Sequence, residues 1–294
     1  MTANCLAVCL SLAAATSYSL MSFFIKLIHH DANQPLIGLV RFTISWLWIY
    51  FIISCRVYRS AETYRSHLVT KHPTSYISRA IFTVLSVVFS CLALKDGSMA
   101  NVMALIMSQA LFVPVVEKLL YNVSVDRSVM MSMLIGFVGV LVSLKPNGDF
   151  ISHGSIWGLL SGISIAISYV NLRTLARHDH PYTIMFIHFS IVLLINIILT
   201  IFYWRKPAMN VTWLWLSLMG VCGTAYQEFI TRAMGKGSAS LVSALQYSSI
   251  AIGSLLGWAV WNESPALHVW MGAILIVIGS ILTVHFSTVV NVNK

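Results

Sequence analysis

The chain has 294 residues, 58% of them hydrophobic and only 9% charged, with a mean hydropathy of +0.82. Soluble domains carry about a quarter charged residues, and nine acidic side chains are too few to solvate a globule of 32.6 kDa, so a soluble enzyme of one or two domains is excluded. The net charge of +9 does not point to nucleic acid, because Lys and Arg stand singly between apolar blocks or loosely spaced in one loop, as topology signals do.

From the N-terminus onward, ten apolar stretches fill the chain: 5–28, 35–55, 78–95, 98–120, 128–145, 154–172, 182–203, 212–231, 238–261 and 266–288. Each is long enough to cross about 30 Å of hydrocarbon as a helix, and strands are disfavoured because they would be half as long and alternating. The expected fold is therefore an all-α membrane protein with ten transmembrane helices. The first stretch has no basic residue before it and exceeds the usual apolar core of a signal peptide, so it reads as a retained span; Ala13-Ala14-Ala15 keeps cleavage as the alternative. Cys5, Cys9, Cys55, Cys91 and Cys222 lie in or at the ends of these stretches without metal spacing, and read as small membrane hydrophobes. With the N-terminus in the cytoplasm, twelve Lys and Arg residues, Arg79 among them, fall inside and five outside, so both termini are placed in the cytoplasm. The short loops favour a bacterial inner membrane.

An internal repeat organises these spans. At an offset of 140, Gly97-Ser98 meets Gly237-Ser238, Val102 meets Val242, Ala104-Leu105 meets Ala244-Leu245, Asn122 meets Asn262 and Gly139 meets Gly279. The first two spans of each half match less well, as Ser17-Tyr18 with Ser168-Tyr169 and Arg41-Phe42 with His188-Phe189. Two five-helix units follow, 1–147 and 148–294. Five is odd, so the second enters the bilayer from the opposite side and the repeats are inverted, the architecture of alternating access.

The sequence resembles the EamA-type branch of the drug/metabolite transporter superfamily across essentially its whole length. The resemblance rests on the two-times-five layout, Arg41-Phe42, Arg79 opening span 3, Ala93-Leu94 with the turn to Gly97-Ser98, Gly136-Phe137-Val138-Gly139 leading to Leu144-Lys145-Pro146, and Trp261-Asn262-Glu263. It departs where Val123 replaces the acidic residue usual after span 4. The resemblance implies a carrier of small organic solutes.

Polar groups deep in a span carry the candidate chemistry, since a central charge costs about 2.5–3.5 kcal/mol on insertion scales. Arg41 lies roughly 6 Å from the midpoint of span 2; its forked donors suit a carboxylate or phosphate, and locking the fold onto backbone carbonyls is the alternative. His188 at the counterpart position in span 7 can bind substrate or take a proton, or can hydrogen-bond between helices. Gln109 in span 4, and Gln246 with Tyr247 in span 9, offer donors and acceptors to a polar substrate or to neighbouring helices. Tyr18 and Trp46 can stack on a ring or simply pack. Glu228 is the candidate for proton coupling, against structural pairing with Arg232 one turn on.

No cofactor or metal motif is present, and the expected partners are a small-molecule substrate and membrane lipid, with no nucleic acid. Gly253-xxx-Gly257 serves either a homodimer or the bundle itself. The leading function is a secondary active transporter moving a small polar organic metabolite, amino-acid-related or nucleoside-containing, by alternating access. The alternative is a membrane-embedded enzyme acting on a lipid-linked substrate, for which His178-Asp179-His180 is the one interfacial cluster.

Overall fold

The computed structural model describes residues 3–28, 31–60, 70, 72–96, 99–122, 125–145, 153–202, 211–261 and 266–292. Among them every regular element is helical: α1 (Ala3–Ile28), α2 (Gln34–Ser60), α3 (Pro73–Asp96), α4 (Met99–Met107), α5 (Gln109–Tyr121), α6 (Arg127–Leu144), α7 (His153–His178), α8 (Pro181–Phe202), α9 (Val211–Lys236), α10 (Ala239–Leu245), α11 (Ser248–Trp261) and α12 (Leu267–Val292). Gly97-Ser98, Val123-Ser124 and residues 262–265, including Glu263, lie outside the described residues.

Eight of the described helical stretches have the length and apolarity of membrane spans. The two other long helices, α3 and α9, have 24 and 26 residues; in α9 the second half, with Gln227, Glu228, Arg232 and Lys236, dilutes the apolar run. The surface agrees with a lipid environment, since Phe51, Leu119, Ile201, Phe202 and Ile281 are all exposed, an apolar exterior that water would not tolerate. The protein is thus a multi-pass integral membrane protein.

The fourth and ninth predicted spans are each found as one apolar stretch, Val102–Tyr121 and Ala239–Val260, with an irregularity inside it that the sequence does not predict. Span 4 is interrupted at Ser108 between α4 and α5, and span 9 at Gln246-Tyr247 between α10 and α11. At Ser108 the N–H is shared between Ala104 O at 3.1 Å and Leu105 O at 3.2 Å, and at Tyr247 it bonds three residues back to Ala244 O at 3.1 Å, the geometry of a local 3₁₀ turn. Serine hydroxyls compete for the same carbonyls, as Ser249 Oγ does by donating to Gln246 O at 2.7 Å. Averaged hydropathy does not register such an interruption.

The most extensive helix pairings are α1 with α9, α3 with α7, and α6 with α12; α2 lies against α8 and α9. The α6–α12 seam depends on glycine. A Cβ on Gly139 would lie 2.7 Å from Ile276 N and 2.8 Å from Gly272 O, and one on Gly279 would lie 2.5 Å from Gly136 N and 2.9 Å from Ser132 O. Backbone approaches backbone on both sides, as small residues permit in membranes. Hydroxyl pairs tie other seams together: Ser45 with Thr224 at 2.7 Å, Thr83 with Ser168 at 3.0 Å, and Ser90 with Ser161 at 2.8 Å. Gly253, by contrast, has nothing within 4 Å of where its Cβ would stand, so the described bundle does not use it.

Candidate functional site

Six helices each contribute one side chain to a cluster around Tyr226: Tyr18 from α1, Arg41 from α2, Arg79 from α3, Tyr169 from α7, His188 from α8 and Tyr226 itself from α9. The Tyr18 and Tyr226 rings lie 5.3 Å apart at 55°, and the Tyr169 and Tyr226 hydroxyls share a hydrogen bond of 2.7 Å. Both guanidiniums act electrostatically on His188 and on Tyr226. Arg41 acts also on Tyr18, and Arg79 on Tyr169.

Local packing explains how Arg41 is held. Gly223 on α9 leaves space for it, since a Cβ there would come within 2.8 Å of Arg41 Nε and 3.2 Å of Met21 Sδ. The Arg41 guanidinium lies 5.1 Å from the Phe42 ring centroid, and Ser45 donates to Arg41 O while meeting Thr224. Arg79 is only 2% exposed and His188 only 4%. Arg41 Nε, one terminal nitrogen of Arg79 and His188 Nδ1 are all buried without a hydrogen-bond partner. Unmet polar groups at such depth are costly unless another group arrives to satisfy them.

Four of the described carboxylates are engaged away from this centre. Glu117, on α5, pairs with Arg173 Nε at 3.7 Å and accepts from Ser240 Oγ at 3.0 Å. Asp126 accepts from Ser128 N–H and caps α6. Glu228 pairs with Arg232, which also donates to the Tyr182 hydroxyl at 2.8 Å. Asp179 accepts from Thr70 Oγ1 at 2.7 Å and from the Tyr76 hydroxyl at 2.8 Å. Burial, reinforced by that bond, pushes the Tyr76 hydroxyl far above the ordinary phenol range, so it remains a donor at any working pH. The cluster of His178, Asp179 and His180 is accordingly a helix junction, with the His178 ring 4.6 Å from that of His72.

The predicted site residues separate into three groups. Arg41, His188 and Tyr18 converge at the centre. Gln109, Gln246 and Tyr247 mark the helix breaks: Gln109 Oε1 and the Tyr247 hydroxyl are buried without partners, and Gln246 Nε2 donates to Ser11 O at 3.4 Å. Tyr247 packs in an apolar cluster with Met107, Met133 and Ile276. Trp46 belongs to the α2–α8 seam, donating to Ser190 Oγ at 3.0 Å and stacking on Tyr50 at 5.2 Å. Glu228 lines a groove between α2 and α9 with Ile44, Trp48 and Thr224.

Sequence reasoning misses Arg79, Tyr169 and Tyr226. Arg79 counts there as a cytoplasmic charge because it opens an apolar stretch, but α3 begins at Pro73 and carries it inside. A signal for Tyr169 exists, because Ser168-Tyr169 is the repeat counterpart of Ser17-Tyr18.

The model of the EamA-like transporter family matches this chain twice, over residues 6–145 and 152–285. The chain belongs to that family. It is 27% identical over 277 residues to a pseudopaline exporter of Pseudomonas aeruginosa, covering 93% of this chain and 94% of that one. It is 25% identical over 185 residues to a riboflavin transporter of Vibrio cholerae, covering 63% of this chain and 62% of that one. It is 19% identical over 221 residues to an S-adenosylmethionine uptake transporter of Rickettsia bellii, covering 75% of this chain and 76% of that one. A solved crystal structure shares the fold with a TM-score of 0.79 at 17% identity, covering 96% of this chain and 98% of that one. The protein is a small-molecule transporter of this family and not an enzyme.

Proposed function

We propose that the protein is a secondary active carrier of a small polar organic metabolite, amino-acid-related or nucleoside-containing, working by alternating access between two inverted five-helix units, 1–147 and 148–294. One observation carries the reading: Arg41 Nε, a terminal nitrogen of Arg79 and His188 Nδ1 are buried without partners where α1, α2 and α3 of one unit pack against α7, α8 and α9 of the other. A polar solute bound there would sit between the units and be exposed to each side in turn as they rock.

Three features support the inverted arrangement. The family match occurs once in each unit. The helix breaks fall at corresponding places in spans 4 and 9. The α6–α12 seam repeats one contact in both directions, because Gly139 meets Ile276 and Gly272 as Gly279 meets Gly136 and Ser132, each pair displaced by the offset of 140.

In this reading both termini are cytoplasmic and the membrane is a bacterial inner membrane. Glu228, close to lipid and water in its groove, exchanges the coupling proton, and Gln109, Gln246, Tyr247 and Trp46 line the route as the halves move. Self-association, where it occurs, uses the open α11 face at Gly253. Purified protein in liposomes, screened against labelled metabolites with and without a pH gradient, tests the proposal. Saturable uptake that Glu228→Gln uncouples from the gradient is expected; gradient-driven uptake unaltered by that substitution removes Glu228 from the mechanism.

A further inference from the structure

Two guanidiniums, rather than one, border the tyrosine cluster of this bundle, and they come from different helices. Arg41 Nε lies against Gly223, three residues before Tyr226 on α9, and Thr83, one turn after Arg79 on α3, meets Ser168 beside Tyr169, whose hydroxyl bonds that of Tyr226; both guanidiniums act electrostatically on Tyr226 and on His188. Arg79 and His188 are almost wholly buried, and each presents an unpartnered nitrogen. Among the described residues, Glu117, Asp126, Asp179 and Glu228 all have partners of their own, and none of these carboxylates pairs with Arg41 or Arg79.

A guanidinium confined to a low-dielectric interior loses its hydration, so one without a counter-ion is costly and two are more so. A monoanion bound at this place would neutralise one and leave the other. Resting on the carrier reading above, we infer that the transported solute bears two anionic groups, carboxylate or phosphate, one engaged by Arg41 and the other by Arg79. The Tyr18, Tyr169 and Tyr226 hydroxyls then serve its neutral polar portion. The planar fork of each arginine gives every anionic group two parallel hydrogen bonds.

Binding of matched probes to the purified full chain tests this. The probes are the aliphatic diacids from malonate to adipate, the monoamide of each, and phosphoglycolate with glycolate, compared by thermal unfolding and calorimetry at equal ionic strength. For at least one length the diacid is expected to bind about tenfold tighter than its monoamide, or phosphoglycolate than glycolate, as loss of one charge-assisted pair requires. That preference should fall to about threefold or less in Arg41→Gln and in Arg79→Gln, and Arg79→Lys, which keeps the charge, should retain part of it. Equal affinities within every pair, absence of binding to all included, overturn the inference, as does a preference that survives Arg79→Gln. Metabolite transport in liposomes is read separately, so a protein that transports but does not distinguish the paired probes overturns the two-anion inference and leaves the carrier reading standing.

Discussion

Tyr18 and Tyr169, counterparts in the two halves of the sequence, converge on the same residue, Tyr226: the first by ring contact at 5.3 Å and the second by a hydroxyl bond of 2.7 Å. The three phenols join α1, α7 and α9 beside Arg41 and Arg79, and their hydroxyls form the neutral polar part of the centre.

Tyr226→Phe should leave the partly buried Tyr169 hydroxyl without its partner and cost about 1 kcal/mol of stability, whereas Tyr169→Phe combined with Tyr226→Phe should recover most of it. Unfolding of the purified variants in detergent provides the cycle. Additive losses in the double variant would mean that the two hydroxyls do not depend on each other.

A side chain at Gly139 or Gly279 would press on backbone across the α6–α12 seam. Gly139→Leu and Gly279→Leu should each destabilise by about 1–3 kcal/mol or prevent accumulation of folded protein. Gly253→Leu, at a position with open space, should be close to neutral in the same unfolding assay. Equal tolerance at all three positions would contradict the packing described.

The buried pair of Glu117 and Arg173 joins α5 to α7, with Ser240 bound to the same carboxylate. Glu117→Gln should cost about 3 kcal/mol by leaving the guanidinium, which also donates to Met234 O, without its counter-charge, and Glu117→Leu with Arg173→Met should be milder than that single change. Chemical unfolding of the three variants decides it. A double variant less stable than Glu117→Gln would show that the pair contributes net stability beyond mutual neutralisation.

The proposed orientation, with both termini cytoplasmic, rests on the charge asymmetry of the loops. A single cysteine at Ser66, in a chain lacking Cys5, Cys9, Cys55, Cys91 and Cys222, should resist impermeant thiol reagent applied to intact cells and react in inverted vesicles. Labelling from outside intact cells would reverse the orientation.

Much of the architecture is legible in the sequence because the bilayer imposes it: apolar runs of fixed length, punctuated by charge, must become helices. The breaks at Ser108 and at Gln246-Tyr247 are not, since they arise from single-residue choices of hydrogen-bond partner inside apolar stretches. At the site, Arg41 and His188 stand out because a charge or an imidazole in mid-span is expensive to insert, and both occupy the centre. Arg79 does not, because hydropathy cuts a span at its first charge, whereas the helix starts where Pro73 permits. Depth alone singles out Trp46, and depth does not specify direction; its ring faces α8 and Ser190.

Counterflow bears on the central cluster without knowledge of the solute: liposomes are loaded with a cytosolic metabolite extract, and mass spectrometry reads which solutes leave. Efflux of a solute should depend on the protein, accelerate when the same solute is present outside, weaken in Arg41→Lys and vanish in Arg41→Gln, in variants that remain folded and monodisperse. Protein-dependent efflux indifferent to external solute would indicate a pore, and undiminished counterflow in both Arg41 variants would contradict the central cluster as the substrate site.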